Sequence, residues 1–257
     1  MNGIIYIASV GIGLTSASFL NSLIWRLYHH VPLLKTSRSI CRDCSTVISW
    51  YDNIPIFSFI LLRGRCRHCH QSISWQYPIV EFFMAILFFF VTWFHIHDAV
   101  YDSAILIKDL FVIWVLVFIF VYDFLYMEVV DSVTLGAGFL LFVIQGFMAW
   151  VLWSDMLIGL TIAGGFFALQ FFLSKGKWIG GGDIRIGILM GIILGWQLTL
   201  LALWFAYVLG AFVAVTLLIV QKKKMADEIA FGTYLTVATV IALFFGSDII
   251  VWYWGLF

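Results

Sequence analysis

Asp183 follows three glycines, Gly180, Gly181 and Gly182, and precedes the apolar run Ile184 to Trp196. An ionisable group at the edge of an apolar helix must find a partner, water or a reaction. Glycines lack a Cβ, so they permit positive φ and let another chain approach the acid; Gly180, Gly181 and Gly182 therefore read as a cradle for a peptide substrate. A second acid, Asp123, closes the apolar segment Phe120-Val121-Tyr122. Two carboxylates that share one proton can hydrolyse a peptide bond. One, as base, activates water, while the other, as acid, protonates the carbonyl oxygen or the leaving amine.

Other acids compete for these roles. Glu128 and Asp131 stand five and eight residues beyond Asp123 in the same short connection. Asp131, followed by Ser132, also reads as an N-cap of the next helix. Asp123 itself reads equally well as a solvated helix-end residue at a membrane interface. Glu81, three residues after Pro78, fits the first turn of a helix, where a carboxylate favours the N-terminal dipole. Asp109 adjoins Lys108 and reads as half of a neighbouring polar pair.

The four cysteines form a second constellation. Cys41 and Cys44, then Cys66 and Cys69, make two CxxC pairs with 21 residues between them, close to the spacing of paired-knuckle structural zinc sites. Two intervening residues let both sulfurs of a pair turn onto one ion, and four thiolates complete a closed tetrahedral site. Two disulfides are the competing reading, disfavoured by the reducing compartment that the charge pattern assigns to this loop. His68 and His70 read as surface or supporting groups, because the four thiolates already satisfy the metal.

These groups must be positioned by membrane helices. The 257 residues are 63% hydrophobic and 11% charged, against roughly 45–50% and 25% in soluble domains. The expected fold is an all-α polytopic membrane protein of about eight spans, at 4–25, 78–96, 104–122, 133–153, 156–173, 184–199, 201–220 and 232–254, with a small zinc-binding cytoplasmic loop domain. The weakest boundary is Gly195-Trp196-Gln197, between the sixth and seventh spans. Ile4 to Ile24 is too long for a signal-peptide core and has no preceding basic residue, so it reads as a retained span. Of 14 basic residues, all but Lys108 fall on alternate connections, including Lys35 and Arg38, Arg63 to Arg67, Lys175 and Lys177, and Lys222 to Lys224. That face is cytoplasmic by the positive-inside rule, which puts both termini outside and both Asp123 and Asp183 at the cytoplasmic edge. The expected division is a first helix over 1–26, the loop domain over 27–77 and a membrane domain over 78–257, without internal repeats. Trp252, Tyr253 and Trp254 read as an interfacial belt.

The residues also carry a family pattern: Ser18-Phe19-Leu20-Asn21 and Trp25-Arg26-Leu27, Trp50-Tyr51-Asp52-Asn53-Ile54-Pro55, Leu62-Arg63-Gly64-Arg65-Cys66, and Trp75-Gln76-Tyr77-Pro78-Ile79-Val80-Glu81. The pattern continues through Asp123 to Asp131 and closes at Gly180 to Asp183. In that order it resembles the bacterial type IV prepilin peptidases, leader peptidases and N-methyltransferases of type IV pilus and type II secretion systems. The resemblance implies an intramembrane aspartic endopeptidase of the GxGD type, with Asp183 as the motif aspartate and Asp123 as its partner. It also implies prepilin or pseudopilin substrates, a bacterial inner-membrane location, and methylation of the new N-terminus by S-adenosylmethionine, an activity associated with Gly64, Arg65 and the four cysteines. No nucleic-acid partner is implied; membrane lipid is. The chain departs from the pattern at Val130, where the family has proline, and at Arg185, where it usually has lysine. Two rival functions stand beside this one. A proton-coupled transporter predicts acids near the bilayer midplane and paired helical halves, and neither is visible in the sequence. An idle scaffold of a secretion system would keep the zinc loop without the reaction.

Overall fold

The computed structural model describes residues 2–32, 39–97, 102–220 and 230–255. Lys35, Arg38 and Lys222 to Lys224 lie outside the described residues. Eight α-helices account for most of the rest: α1 (Asn2–Tyr28), α2 (Phe57–Leu61), α3 (Gln76–His97), α4 (Ser103–Tyr126), α5 (Asp131–Phe147), α6 (Trp153–Ser174), α7 (Gly181–Ile219) and α8 (Phe231–Trp254). Six of them, α1, α3, α4, α6, α7 and α8, are long and apolar enough to cross a bilayer, while α5 has 17 residues. The chain is thus an all-helical, multi-pass membrane protein. It divides into two compact units, Met1–Trp114 and Val115–Phe257.

In the first unit α1 and α3 run antiparallel. Gly13 lies against Phe88 and Ala85, where an added Cβ would sit at 3.1–3.2 Å, so its bare backbone allows the close approach. Apolar contact gains little over lipid contact in a bilayer, and the pair is also fastened by polar groups. The Ser9 hydroxyl donates to Phe88 O at 2.9 Å and meets Thr92 Oγ1 at 2.6 Å, and Asn21 Nδ2 donates to Tyr77 O at 3.3 Å. Near the other end of α3, Asp109 takes His95 Nε2 at 2.8 Å and Lys108 Nζ at 3.0 Å, so the expected Lys108–Asp109 pair also includes a histidine.

The second unit is organised by α7. Hydropathy separates two spans here, and the helix indeed breaks at Gly195, whose φ of 70° and ψ of 177° are open to glycine and strained for other residues. The neighbours record a reversal. Along 181–195 the contacts step down α6 from Phe171 through Ala163 and Gly159 to Asp155. Beyond the break they climb back, and Tyr207 reaches Phe166 and Gln170. Gly159 and Gly191 meet so closely that a Cβ on either would overlap backbone of the other. α8 then runs antiparallel to 196–219, with Phe231 beside Gly210 and Gly246 beside Leu198. The buried Gln145 of α5 donates to Ile192 O at 2.9 Å, satisfying a carbonyl close to the break where lipid offers no donor.

Helix α5 ends earlier than hydropathy predicts. The apolar run continues to Trp153, but Ala149 takes a φ of 53° and Trp150 N bonds back to Gln145 O at 3.1 Å. The Trp153 indole covers Gly146 and begins α6. Composition does not register such a turn because Ala149 to Leu152 are as apolar as a helix core.

Candidate active site and metal centre

Asp123 is near the C-terminus of α4 and is 6% exposed. Its Oδ2 accepts the backbone N–H of Thr233 at 3.0 Å, and Gly232 adds a second backbone hydrogen bond. The acid from the end of one helix is therefore seated on the first turn of another, α8, where unpaired N–H groups and the dipole favour a carboxylate. Gly232 is needed for this: a Cβ there would come 2.8 Å from Asp123 Oδ2 and 2.6 Å from Ile186 Cδ1. Ile186 stands one turn beyond Asp183 in α7, which places α8 against both acid-bearing helices.

Asp183 is 8% exposed and lies in the first turn of α7. Its Oδ2 accepts the N–H of Gly180 at 3.2 Å, closing the helix start on itself. Asp183 lies within electrostatic reach of Asp123 and of Tyr207, whose hydroxyl accepts Gln170 Nε2 at 2.9 Å. The two acids singled out by the sequence are thus brought together, both buried, Asp123 from the C-terminal end of α4 and Asp183 from the N-terminal end of α7.

The glycines differ from the sequence expectation of positive φ. Gly180 is the N-cap with φ −75°, and the positive-φ glycines are Gly64, Gly176 and Gly195. Gly182 gives its open side to the chain itself: a Cβ there would reach Val129 Cγ2 at 2.5 Å. Among the described residues, a Cβ on Gly180 or Gly181 would meet nothing nearer than 3.9 Å, where the helix start itself and the Phe171 ring lie.

Glu128 is exposed and Asp131 half exposed, unlike the buried pair. Val130 is the N-cap of α5, with φ −84° and ψ 105°, and Asp131 is its first helical residue rather than a cap. Asp131 Oδ1 instead meets Arg185 Nη1 at 2.9 Å. Together with Gly182 against Val129, this ion pair holds the α4–α5 connection onto the start of α7. Glu81 also departs from expectation. It lies well inside α3 and accepts the N–H of Ile56 at 2.8 Å, so it fastens the loop module rather than a helix dipole.

The four cysteines converge. Their sulfurs all lie within 4.8 Å of one another, with Cys41 Sγ and Cys69 Sγ 3.9 Å apart and none paired in a disulfide. The cluster can hold a metal ion, and His68 and His70 are exposed outside it. Two matching knuckles build it. Cys41 N donates to Thr46 O and Ser45 N to Cys41 O; Cys66 N donates to Gln71 O and His70 N to Cys66 O. Ser45 and His70 each follow the second cysteine with φ of 56° and 59°. This is a local repeat that the sequence reading missed, although Cys-Arg-x-Cys is followed at the same spacing by Ile-Ser-Trp in both copies, Cys41 to Trp50 and Cys66 to Trp75. Hydrogen bonds from Thr46 draw the Cys44 thiol down to about 6 and the N–H groups of Cys69 and His68 lower Cys66, while burial and the three neighbouring sulfurs push Cys69 up to about 12, so without an ion the cluster shares its protons unevenly. Arg67 forks onto Asp52, with Nε at 2.8 Å and Nη2 at 2.6 Å, and holds that carboxyl below its ordinary range. Gly64, at φ 67° with Phe59 packed on it, turns the chain from α2 into the second knuckle, and Arg65 bridges to Ser72.

Sequence reasoning missed Gly232, Thr233 and Tyr207. The available signal was Gly232-Thr233 opening the last apolar run after the Lys222 to Lys224 cluster, on the face assigned to both acids.

Residues 12–95 match the bacterial peptidase A24 N-terminal domain, and residues 110–215 match the type IV leader peptidase family. The chain is similar to a prepilin leader peptidase/N-methyltransferase of Pseudomonas putida, 32% identical over 93% of this chain and 90% of the relative. It is also similar to the proteins of the same name in Aeromonas hydrophila, 33% identical over 86% and 76%, and Legionella pneumophila, 29% over 85% and 76%. No solved structure matches.

Proposed function

The chain belongs to the prepilin leader peptidase/N-methyltransferase family, and we propose that its peptidase works through Asp123 and Asp183. It is an enzyme that removes the leader of prepilins and methylates the new N-terminus. The observation that carries the residue assignment is the meeting of two buried carboxylates, one on the first turn of α8 and one in the first turn of α7. One acid, ionised, takes a proton from water as it attacks the scissile carbonyl. The other, protonated, donates to the carbonyl oxygen and then to the leaving amine. The peptide lies along Gly180 and Gly181, the open glycines, while Gly182 serves the fit with Val129.

The membrane arrangement follows the basic residues. Eight crossings, with both termini periplasmic and the cysteine module in the cytoplasm of the inner membrane, place the acids where a prepilin's basic leader leaves its apolar helix. Arg63 to Arg67 and Lys222 to Lys224 serve topology and anionic lipid, since they would repel a basic leader. Zinc is the ion that suits the cluster. Four thiolates at about 2.3 Å from zinc stand about 3.8 Å apart, and the Cys41–Cys69 separation is 3.9 Å. The site is closed and structural. S-adenosylmethionine, when bound, supplies the electrophilic methyl group, and Gly64 and Arg65 belong to the module associated with that activity.

The test is incubation of purified protein with a prepilin, with and without S-adenosylmethionine, followed by mass measurement of the product. Asp123→Asn and Asp183→Asn should each lower cleavage by about 10²–10⁴-fold. Full cleavage by either variant removes that residue from the pair.

A further inference from the structure

The peptidase reading leaves unused a cavity of about 360 Å³ in the first unit. One face of α1 lines it through Ser18, Ser22 and Arg26, spaced four residues apart, and α3 contributes Tyr77 and Glu81. The knuckles of the cysteine module supply the remaining wall. The volume is that of a small-molecule site.

The lining specifies what fits. Glu81 is 5% exposed; its carboxylate is held by the Ile56 N–H at 2.8 Å and by Ser18. Ile56 has a φ of 59°, a conformation a β-branched residue rarely adopts, so the wall is fixed around this acid at a local cost. Two neutral hydrogen bonds stabilise a buried carboxylate less than a cation does. Arg26, 8% exposed, brings a guanidinium whose five donors can engage more than one acceptor. Ile54, Phe59 and Leu62 add apolar lining, and Arg42, Asp43, Asp52 and Arg67 bring further charge from the cysteine module. The matching ligand is a zwitterion of about this size, with a cationic centre, a carboxylate and a flat, weakly polar body.

We propose that this cavity binds the methyl donor S-adenosylmethionine, with Glu81 recognising its sulfonium and Arg26 its carboxylate. The inference rests on the N-methyltransferase reading above and assigns that activity a place separate from the peptidase pair. Both knuckles line the cavity, which gives the cysteine cluster a role in shaping the donor site.

Equilibrium dialysis of labelled S-adenosylmethionine and S-adenosylhomocysteine against the purified full-length chain, without prepilin, reads binding alone. Glu81→Gln keeps the shape and removes the charge. It should lower affinity for the sulfonium ligand by about tenfold or more while changing that for the neutral thioether far less. Ser22→Phe fills the cavity from α1 without touching the Glu81–Ile56 bond and should weaken both ligands. Unchanged metal content and circular dichroism establish that each variant is folded. Wild-type affinities in both folded variants overturn the cavity assignment and leave the methyltransferase reading standing. Failure of the wild-type chain to bind either ligand overturns both.

Discussion

Thr233 donates its backbone N–H to the Asp123 carboxylate at 3.0 Å across 110 residues of sequence. The bond brings the end of α4 onto the start of α8, and Gly232 makes the approach possible. It also accounts for a buried carboxylate in a membrane helix, since the first turn of α8 supplies the donors that lipid lacks.

Gly232→Ala should therefore impair cleavage while leaving the fold intact. Its methyl would push on Asp123 Oδ2 and Ile186 together, a displacement of the kind that lowers turnover by about 10²-fold. Kinetics of prepilin cleavage check this, and wild-type turnover would show that the Asp123–α8 contact does not set the geometry.

Asp131→Asn should behave differently from Asp123→Asn. Asp131 is half exposed and paired to Arg185, so its loss costs at most about 1 kcal/mol. Cleavage should remain within roughly fivefold of wild type, and the exchange Asp131→Arg with Arg185→Asp should restore what is lost. Inactivation by Asp131→Asn alone would transfer the partner role to that residue.

Replacing Cys44 and Cys66 by serine should abolish binding of about one zinc ion per chain, read by elemental analysis of the purified protein. The knuckles should then become sensitive to protease, because the module contains two isolated bridges rather than a core of its own.

Asp52→Asn should destabilise the loop module in a pH-dependent way. Arg67 holds the Asp52 carboxyl below its ordinary value, so the ionised pair stabilises the folded module above that ordinary value, and this contribution is lost as pH falls through the lowered one. The difference between wild type and Asp52→Asn, measured by hydrogen exchange of residues 50–67, should be full at neutral pH and vanish in acid.

Much of the architecture was legible in the residues themselves. Runs of apolar side chains located the helices to within a few positions, except at the end of α5, because a backbone in lipid must satisfy its own hydrogen bonds and most often does so as a helix. CxxC spacing located the metal cluster, since two intervening residues suffice to turn both sulfurs inward. Asp183 declared itself through its cost at a helix start. The spacing of acids along one chain segment, by contrast, said nothing about which of Asp123, Glu128 and Asp131 faces Asp183. That choice belongs to the tertiary structure, through the docking of α8 on Asp123 and the diversion of Asp131 to Arg185. The same holds for Gly182, set against Val129, for Glu81, committed to Ile56, and for the hairpin at Gly195, legible only as a weak boundary until its contacts with α6 appeared. Hydropathy and periodicity describe one segment against its solvent. They carry no information about partners a hundred residues away, and this site is made by such partners.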